Sequence, residues 1–219
     1  MQGIIFDFNG TLIFDGKLQE DSWRDFIELK SGHVATDWEL QNHLHGRNVD
    51  YIFTYFFKKQ FTREEVVALE EEKEVIYRKM CLESDDFKFA KGVEKMLDYL
   101  KESKIPFTIA TASGYGNITF FYEQLNLKRW FKFEDIVYNN GTFKGKPNPD
   151  IFLKAAEKIN TDIKECIIFE DSQSGIKAAI SSGAKKVVGV ASMIDKKTLL
   201  DLGVNEIIED YTNFADILN

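Results

Sequence analysis

Four short segments carry side chains that could do chemistry together. Asp7 ends the apolar run Ile4-Ile5-Phe6, and Thr111 ends Phe107-Thr108-Ile109-Ala110. Lys146 lies in Gly145-Lys146-Pro147, and Glu170-Asp171 follow Cys166-Ile167-Ile168-Phe169. A carboxylate, a hydroxyl, an ammonium and two further acids are thus each expected at a strand end, a set suited to phosphoryl transfer. A carboxylate nucleophile can accept a phosphoryl group and divide one hard displacement into two easier ones. Magnesium offsets the repulsion between that anion and a phosphate, and it prefers oxygen ligands. Asp171 is the expected distal ligand, with Glu170 binding directly or through water. Thr111 and the amides of Ala112 and Ser113 precede a helix that starts near Gly114, where free N–H groups and the helix dipole favour phosphate oxygens. Lys146 supplies a point charge to the same oxygens, on a segment stiffened by Pro147 and Pro149. Any one of these residues alone reads as surface or capping material; their joint order carries the assignment.

The elements that must position them alternate. Short β-branched runs at 4–8, 107–111, 135–138, 166–170 and 187–190 are separated by amphipathic stretches at 93–101, 118–125, 151–159 and 175–182. Successive parallel strands need crossover connections, so the pattern predicts an α/β fold, a parallel sheet with helices on both faces. Ligands in such sheets gather at the carboxyl ends of the strands. Residues 16–86 break the alternation with helical spacing at 22–30, 37–44, 50–60 and 63–81. An inserted helical cap domain over the carboxyl edge is expected there, leaving 1–15 and 87–219 as the core. Thr62 and Glu65 have the spacing of a capping box, and the charge run 70–74 reads as a solvated helix face.

The motifs as a set resemble the haloacid dehalogenase superfamily, in the branch similar to β-phosphoglucomutase and phosphoglycolate phosphatases. Asp7-Phe8-Asn9-Gly10-Thr11-Leu12 resembles its first motif and Thr111-Ala112-Ser113 its second. Lys146-Pro147-Asn148-Pro149-Asp150-Ile151-Phe152 resembles the third, and Phe169-Glu170-Asp171-Ser172-Gln173-Ser174-Gly175 the fourth. The resemblance implies a Rossmann-like core, a helical cap between the first two motifs, Mg2+, and an aspartyl-phosphate on Asp7. It also implies metal ligation by Asp7, by the backbone carbonyl of Asn9 and by Asp171, with Thr111 and Lys146 on the phosphate. The expected activity is hydrolysis of a small phosphomonoester.

One position departs from the family pattern. The branch carries a second aspartate two residues after the nucleophile, and here that residue is Asn9. An amide cannot cycle a proton near neutral pH, and general acid–base catalysis contributes roughly 100- to 10,000-fold. Slow turnover is therefore expected. A sugar-phosphate mutase and a non-catalytic phosphometabolite-binding protein are the alternatives; Gln19, near where mutase-type relatives carry a histidine, weighs against the mutase. Dehalogenation is disfavoured because Glu170-Asp171 suit a metal. Substrate choice is expected from the segment His43-Leu44-His45-Gly46-Arg47-Asn48, with Arg47 reaching a substrate phosphate or carboxylate and either histidine able to donate the proton that Asn9 cannot.

Composition bounds the partners. A formal net charge of -8 and a pI near 5.1 argue against nucleic-acid and membrane-surface partners, which call for basic stripes. A small phosphorylated metabolite remains compatible, because a few local cations and a metal outweigh the global charge. Cys81 and Cys166 lack zinc-type spacing, no signal-like or membrane-length apolar run is present, and a monomeric cytoplasmic protein is expected.

Overall fold

In the computed structural model, which describes residues 2–44 and 47–218, the first strand β1 (Gly3–Phe6) is followed by four helices, α1 (Gly16–Ser31), α2 (Asp37–His43), α3 (Val49–Phe57) and α4 (Arg63–Glu83). Alternation then begins with α5 (Val93–Glu102), β2 (Phe107–Gly114), α6 (Tyr115–Gln124), β3 (Val137–Asn139) and α7 (Asp150–Lys158). It continues through β4 (Cys166–Glu170), α8 (Gln173–Ser181), β5 (Lys186–Val190), α9 (Lys196–Asp201), β6 (Glu206–Ile208) and α10 (Phe214–Leu218). The chain divides into two compact units, Met1–Phe14 with Lys88–Asn219, and Asp15–Phe87.

The first unit is a six-stranded parallel sheet in the order β3-β2-β1-β4-β5-β6. Strands β1 and β4 are buried along their whole length, as strands covered on both faces must be, which explains their unbroken apolar runs. Side chains alternate between the faces. Ile5 and Ile168 join the cluster built by Phe152 and Ala155 of α7 and Ile176 and Ala179 of α8. Phe6 and Phe169 point the other way and stack at 5.1 Å, with Tyr211 against Phe169. Connections run outward from β1 to β2 and β3, then return to β4 and run outward in the opposite direction. The crevice beside β1 is thus the topological switch point where such sheets bind ligands. The short strand β6 and helix α9 are additions to the elements expected from periodicity.

The second unit is helical. Phe26, Ile27, Leu40, Ile52, Phe53, Phe56 and Val66 form its core, each fully buried large side chain being worth about 1.5–3 kcal/mol. Of the aromatic group on α3, Phe53 and Phe56 are buried, whereas Tyr51 is exposed. Helix α4 starts on the expected capping box: Thr62 Oγ1 accepts from the Glu65 amide at 3.2 Å, and the Glu65 carboxylate accepts from the Thr62 amide at 2.8 Å. The run 70–74 is not uniformly solvated, however. Lys73 is buried, its Nζ donating to Gln19 Oε1 at 2.6 Å and to Glu74 Oε1 at 3.1 Å, and lying 5.2 Å from the rings of Trp23 and Tyr77. Those partners come from α1 as well as α4, so a reading of the run in isolation had no means of finding them. Asp15, the first residue of this unit, is also buried; it accepts from Tyr77 Oη at 2.6 Å and Gln19 Nε2 at 3.3 Å, and makes no side-chain cap on α1.

Candidate active site

Register aligns the acids. Phe6 pairs with Phe169 of β4 and with Ile109 of β2, so the residues that follow, Asp7, Ala110 and Glu170, emerge level at one sheet edge. The Asp7 amide donates to the Phe169 carbonyl at 3.0 Å, continuing the ladder one residue past β1. Among the described residues, Asp7, Glu170 and Asp171 offer carboxylate oxygens that all lie within 4.8 Å of one another, and all three residues are buried.

Lys146 enters this cluster from a different kind of position than expected. It lies seven residues beyond the end of β3, in the loop leading to α7, rather than at a strand end. Its ammonium nonetheless bridges Asp7 Oδ1 at 2.5 Å and Glu170 Oε1 at 2.6 Å. The ring of Phe152, on the first turn of α7, lies 5.1 Å away. Glu170 is further committed: its Oε2 accepts from the Ser172 amide at 2.6 Å. Gly175 lies so close beneath Glu170 that a Cβ there would overlap the carboxylate. Asp171 Oδ1 accepts from Thr11 Oγ1 at 3.0 Å. Gly10 has a φ of 75° and presses on the same carboxylate, so that a Cβ at Gly10 would overlap Asp171 Oδ2. The sequence reading assigned no role to Thr11 or Ser172; their only sequence signal is membership of the motif segments.

Three buried carboxylates face one ammonium, and the electrostatics follow. Burial pushes Asp7 up to about 7; Lys146 opposes that shift and the Glu170 charge adds to it. Burial, with the Glu170 and Asp7 charges, raises Asp171 well above the usual carboxylate range. Burial alone would lower Lys146, but the two carboxylates hold its ammonium above the ordinary lysine value. An all-oxygen cluster with surplus negative charge is the donor set that suits a hard divalent cation. Of its members, Asp7 and Asp171 have more free lone pairs than Glu170.

The second segment lies alongside. Thr111 is buried and pairs with Tyr138, and β2 runs on irregularly to Gly114, where α6 begins. The Ser113 amide donates to Thr111 Oγ1 at 3.1 Å, and Ser113 Oγ donates to Asn9 Oδ1 at 2.8 Å. Ala112 is exposed. Asn9 therefore links the first segment to the second through its amide oxygen, which Ser113 orients. Arg47 belongs to the helical unit, where its Nε donates to the Asn42 carbonyl at 3.3 Å and its guanidinium lies 5.1 Å from the Tyr51 ring. His43 stacks on Tyr55 at 3.7 Å, with its Nδ1 2.6 Å from Tyr51 Oη. His45 and Gly46 lie outside the described residues.

A family described as haloacid dehalogenase-like hydrolases matches residues 4–190. The chain belongs to this family. A phosphorylated carbohydrates phosphatase of Thermotoga maritima is 26% identical over 214 residues, covering 95% of this chain and 94% of the relative. Among solved structures, a family IA, variant 3 hydrolase of Entamoeba histolytica is 39% identical with a TM-score of 0.92, covering 96% of this chain and 94% of that one. A β-phosphoglucomutase of Clostridium difficile, 24% identical, shares the fold with a TM-score of 0.76 over 100% of this chain and 96% of that one. The chain is thus a hydrolase of the haloacid dehalogenase superfamily, and the fold is what it shares with the β-phosphoglucomutase. No helix among the described residues is long and apolar enough to cross a membrane.

Proposed function

We propose that this protein hydrolyses a small phosphorylated metabolite, of the phosphorylated-carbohydrate class, through a phosphoryl group carried on Asp7, and that Asn9 makes the second half of the cycle slow. The observation that carries this reading is the buried cluster of Asp7, Glu170 and Asp171 around the Lys146 ammonium. A bound magnesium ion, held by Asp7, Asp171 and the Asn9 carbonyl, would screen the phosphate's charge from these acids. In the first step an Asp7 oxygen attacks phosphorus, the bond from phosphorus to the ester oxygen breaks, and the alkoxide takes a proton from solvent. In the second step water attacks the same phosphorus, the bond to Asp7 breaks with its electron pair returning to the carboxylate, the water's proton passes to solvent, and phosphate leaves. Lys146 and Thr111 hold the non-bridging oxygens through both steps, aided by the amides of Ala112 and Ser113 at the start of α6. The attacking water must give up its proton beside Asn9, and an amide oriented by Ser113 cannot take it, so the second step is the slow one.

The mutase alternative has less support, because the Gln19 side chain is engaged by Lys73 and Asp15. The test is a panel of sugar phosphates with and without magnesium, following phosphate release and a phosphoryl adduct on Asp7. Release that depends on magnesium and vanishes in Asp7→Asn is expected. Undiminished release in Asp7→Asn would overturn the assignment.

A further inference from the structure

Two hydroxyls from outside the four motif segments reach the loop that carries the nucleophile. Ser192, in the loop after β5, donates from Oγ to the Gly10 carbonyl at 2.5 Å. Tyr211, between β6 and α10, donates from Oη to the Thr11 carbonyl at 3.2 Å. Tyr211 is fully buried, its ring packed 5.6 Å from Phe169 and 6.4 Å from Phe6, and its own amide donates to the Lys91 carbonyl at 2.8 Å. Each hydroxyl thus directs its proton to the backbone of a residue that touches the cluster: Gly10 bounds Asp171 Oδ2 by close packing, and Thr11 holds Asp171 Oδ1 by its hydroxyl.

We infer that Ser192 and Tyr211 are positioning residues for cation binding: by clamping the Gly10 and Thr11 carbonyls they fix both oxygens of Asp171 and keep the loop that contains Asn9 in register with Asp7. This rests on the cation site proposed above. The physical reason is that a small divalent cation demands a defined oxygen geometry, whereas the six-residue loop from Phe8 to Ile13, closed on itself by amides of Thr11, Leu12 and Ile13 that all approach the Phe8 carbonyl, is tied toward β4 and β2 by its side chains, Thr11 on Asp171 and Asn9 on Ser113, and its Gly10 and Thr11 carbonyls need orienting as well. The two hydroxyl bonds provide that orientation from β5 and the C-terminal segment. Groups that bond a metal ligand directly change metal affinity by roughly 10- to 100-fold, and these two hydroxyls, one bond further out, belong at the lower end of that range.

The experiment is calorimetric titration of the metal-free full-length protein with Mg2+ alone, repeated with Mn2+, for the parent, Ser192→Ala, Ser192→Thr and Tyr211→Phe. The expected result is a dissociation constant raised about tenfold or more in Ser192→Ala and Tyr211→Phe, recovered in Ser192→Thr, with melting temperatures of the EDTA-treated proteins close to the parent. Tyr211→Phe keeps the ring, so its fold is retained and the hydroxyl alone is tested. Unchanged dissociation constants in a parent that binds metal would overturn this inference alone, as would a Ser192→Thr protein no better than Ser192→Ala. A parent that binds neither ion would overturn the cation site itself, and this inference with it.

Discussion

Replacing Asn9 by aspartate tests the slow step directly. The side chain is half-buried and its Oδ1 already receives the Ser113 hydroxyl at 2.8 Å, so a carboxylate there inherits an oriented hydrogen bond without repacking. It would also join Asp7, Glu170 and Asp171 as a fourth acid, and their charges favour its neutral form, which is the state a general acid needs. General acid–base catalysis is worth roughly 100- to 10,000-fold, equal to about 2.7–5.4 kcal/mol off the barrier. Turnover of Asn9→Asp should therefore rise by that factor, while formation of the Asp7 adduct changes less. The assay pairs steady-state phosphate release with quenched-flow intact mass, reading the mass of one phosphoryl group on the protein. The parent should show a burst and a persistent adduct; Asn9→Asp should turn over with little adduct. Fresh protein and peptide mapping are needed, because the Asn9-Gly10 step can deamidate and generate the same aspartate in an aged sample. The exposed Asn140-Gly141 step reports general ageing of the same preparation. Equal turnover in both proteins, with equal adduct, would refute the assignment of Asn9 as the missing proton carrier.

Three further outcomes follow from the geometry. Lys146→Met removes the one ammonium between Asp7 and Glu170 and should cost about 3–5 kcal/mol in urea unfolding of the metal-free protein, with loss of the adduct; a loss under about 1 kcal/mol would mean the ion pair is not formed in solution. Because the folded-state value for Asp7 lies near 7, above the ordinary 3.8, the folded chain binds that proton more tightly than the unfolded one. The metal-free protein should therefore lose stability as pH rises from about 4 through about 7, and the rise in melting temperature caused by Mg2+ should grow across the same window; a shift independent of pH would contradict the acid cluster as its source. Tyr77→Phe deprives the buried Asp15 carboxylate of its 2.6 Å donor and should lower stability by about 1.5–3 kcal/mol, measured by thermal or chemical unfolding.

Strand and helix types along the sheet were legible because their periodicities differ, and the buried strands β1 and β4 announced themselves by unbroken apolar runs. The long helix α1 was legible only from its middle onward, since Gly16 to Asp21 offers few apolar positions to mark a face. Short β6 escaped because three half-buried residues carry too little pattern. In the site, Asp7 and Glu170-Asp171 could be read from strand ends, where the parallel register carries them to one edge.

The sequence by itself determined which chemical groups are available: the nucleophile candidate Asp7, the acids, Thr111, Lys146, and the amide at Asn9 where the motif it resembles carries an acid. Those are matters of residue identity, and motif order suffices to find them. The tertiary structure decided how they meet. Only the order β3-β2-β1-β4-β5-β6 makes β1 the neighbour of both β2 and β4, and only the loop before α7 delivers Lys146 between two carboxylates 139 and 24 residues away. The contact of Ser113 with Asn9, and the roles of Ser192 on Gly10 and Tyr211 on Thr11, are equally silent in the sequence, because the partner of a single hydroxyl leaves no periodic or motif signature. Its role exists only once a distant backbone carbonyl or amide is brought within hydrogen-bond reach.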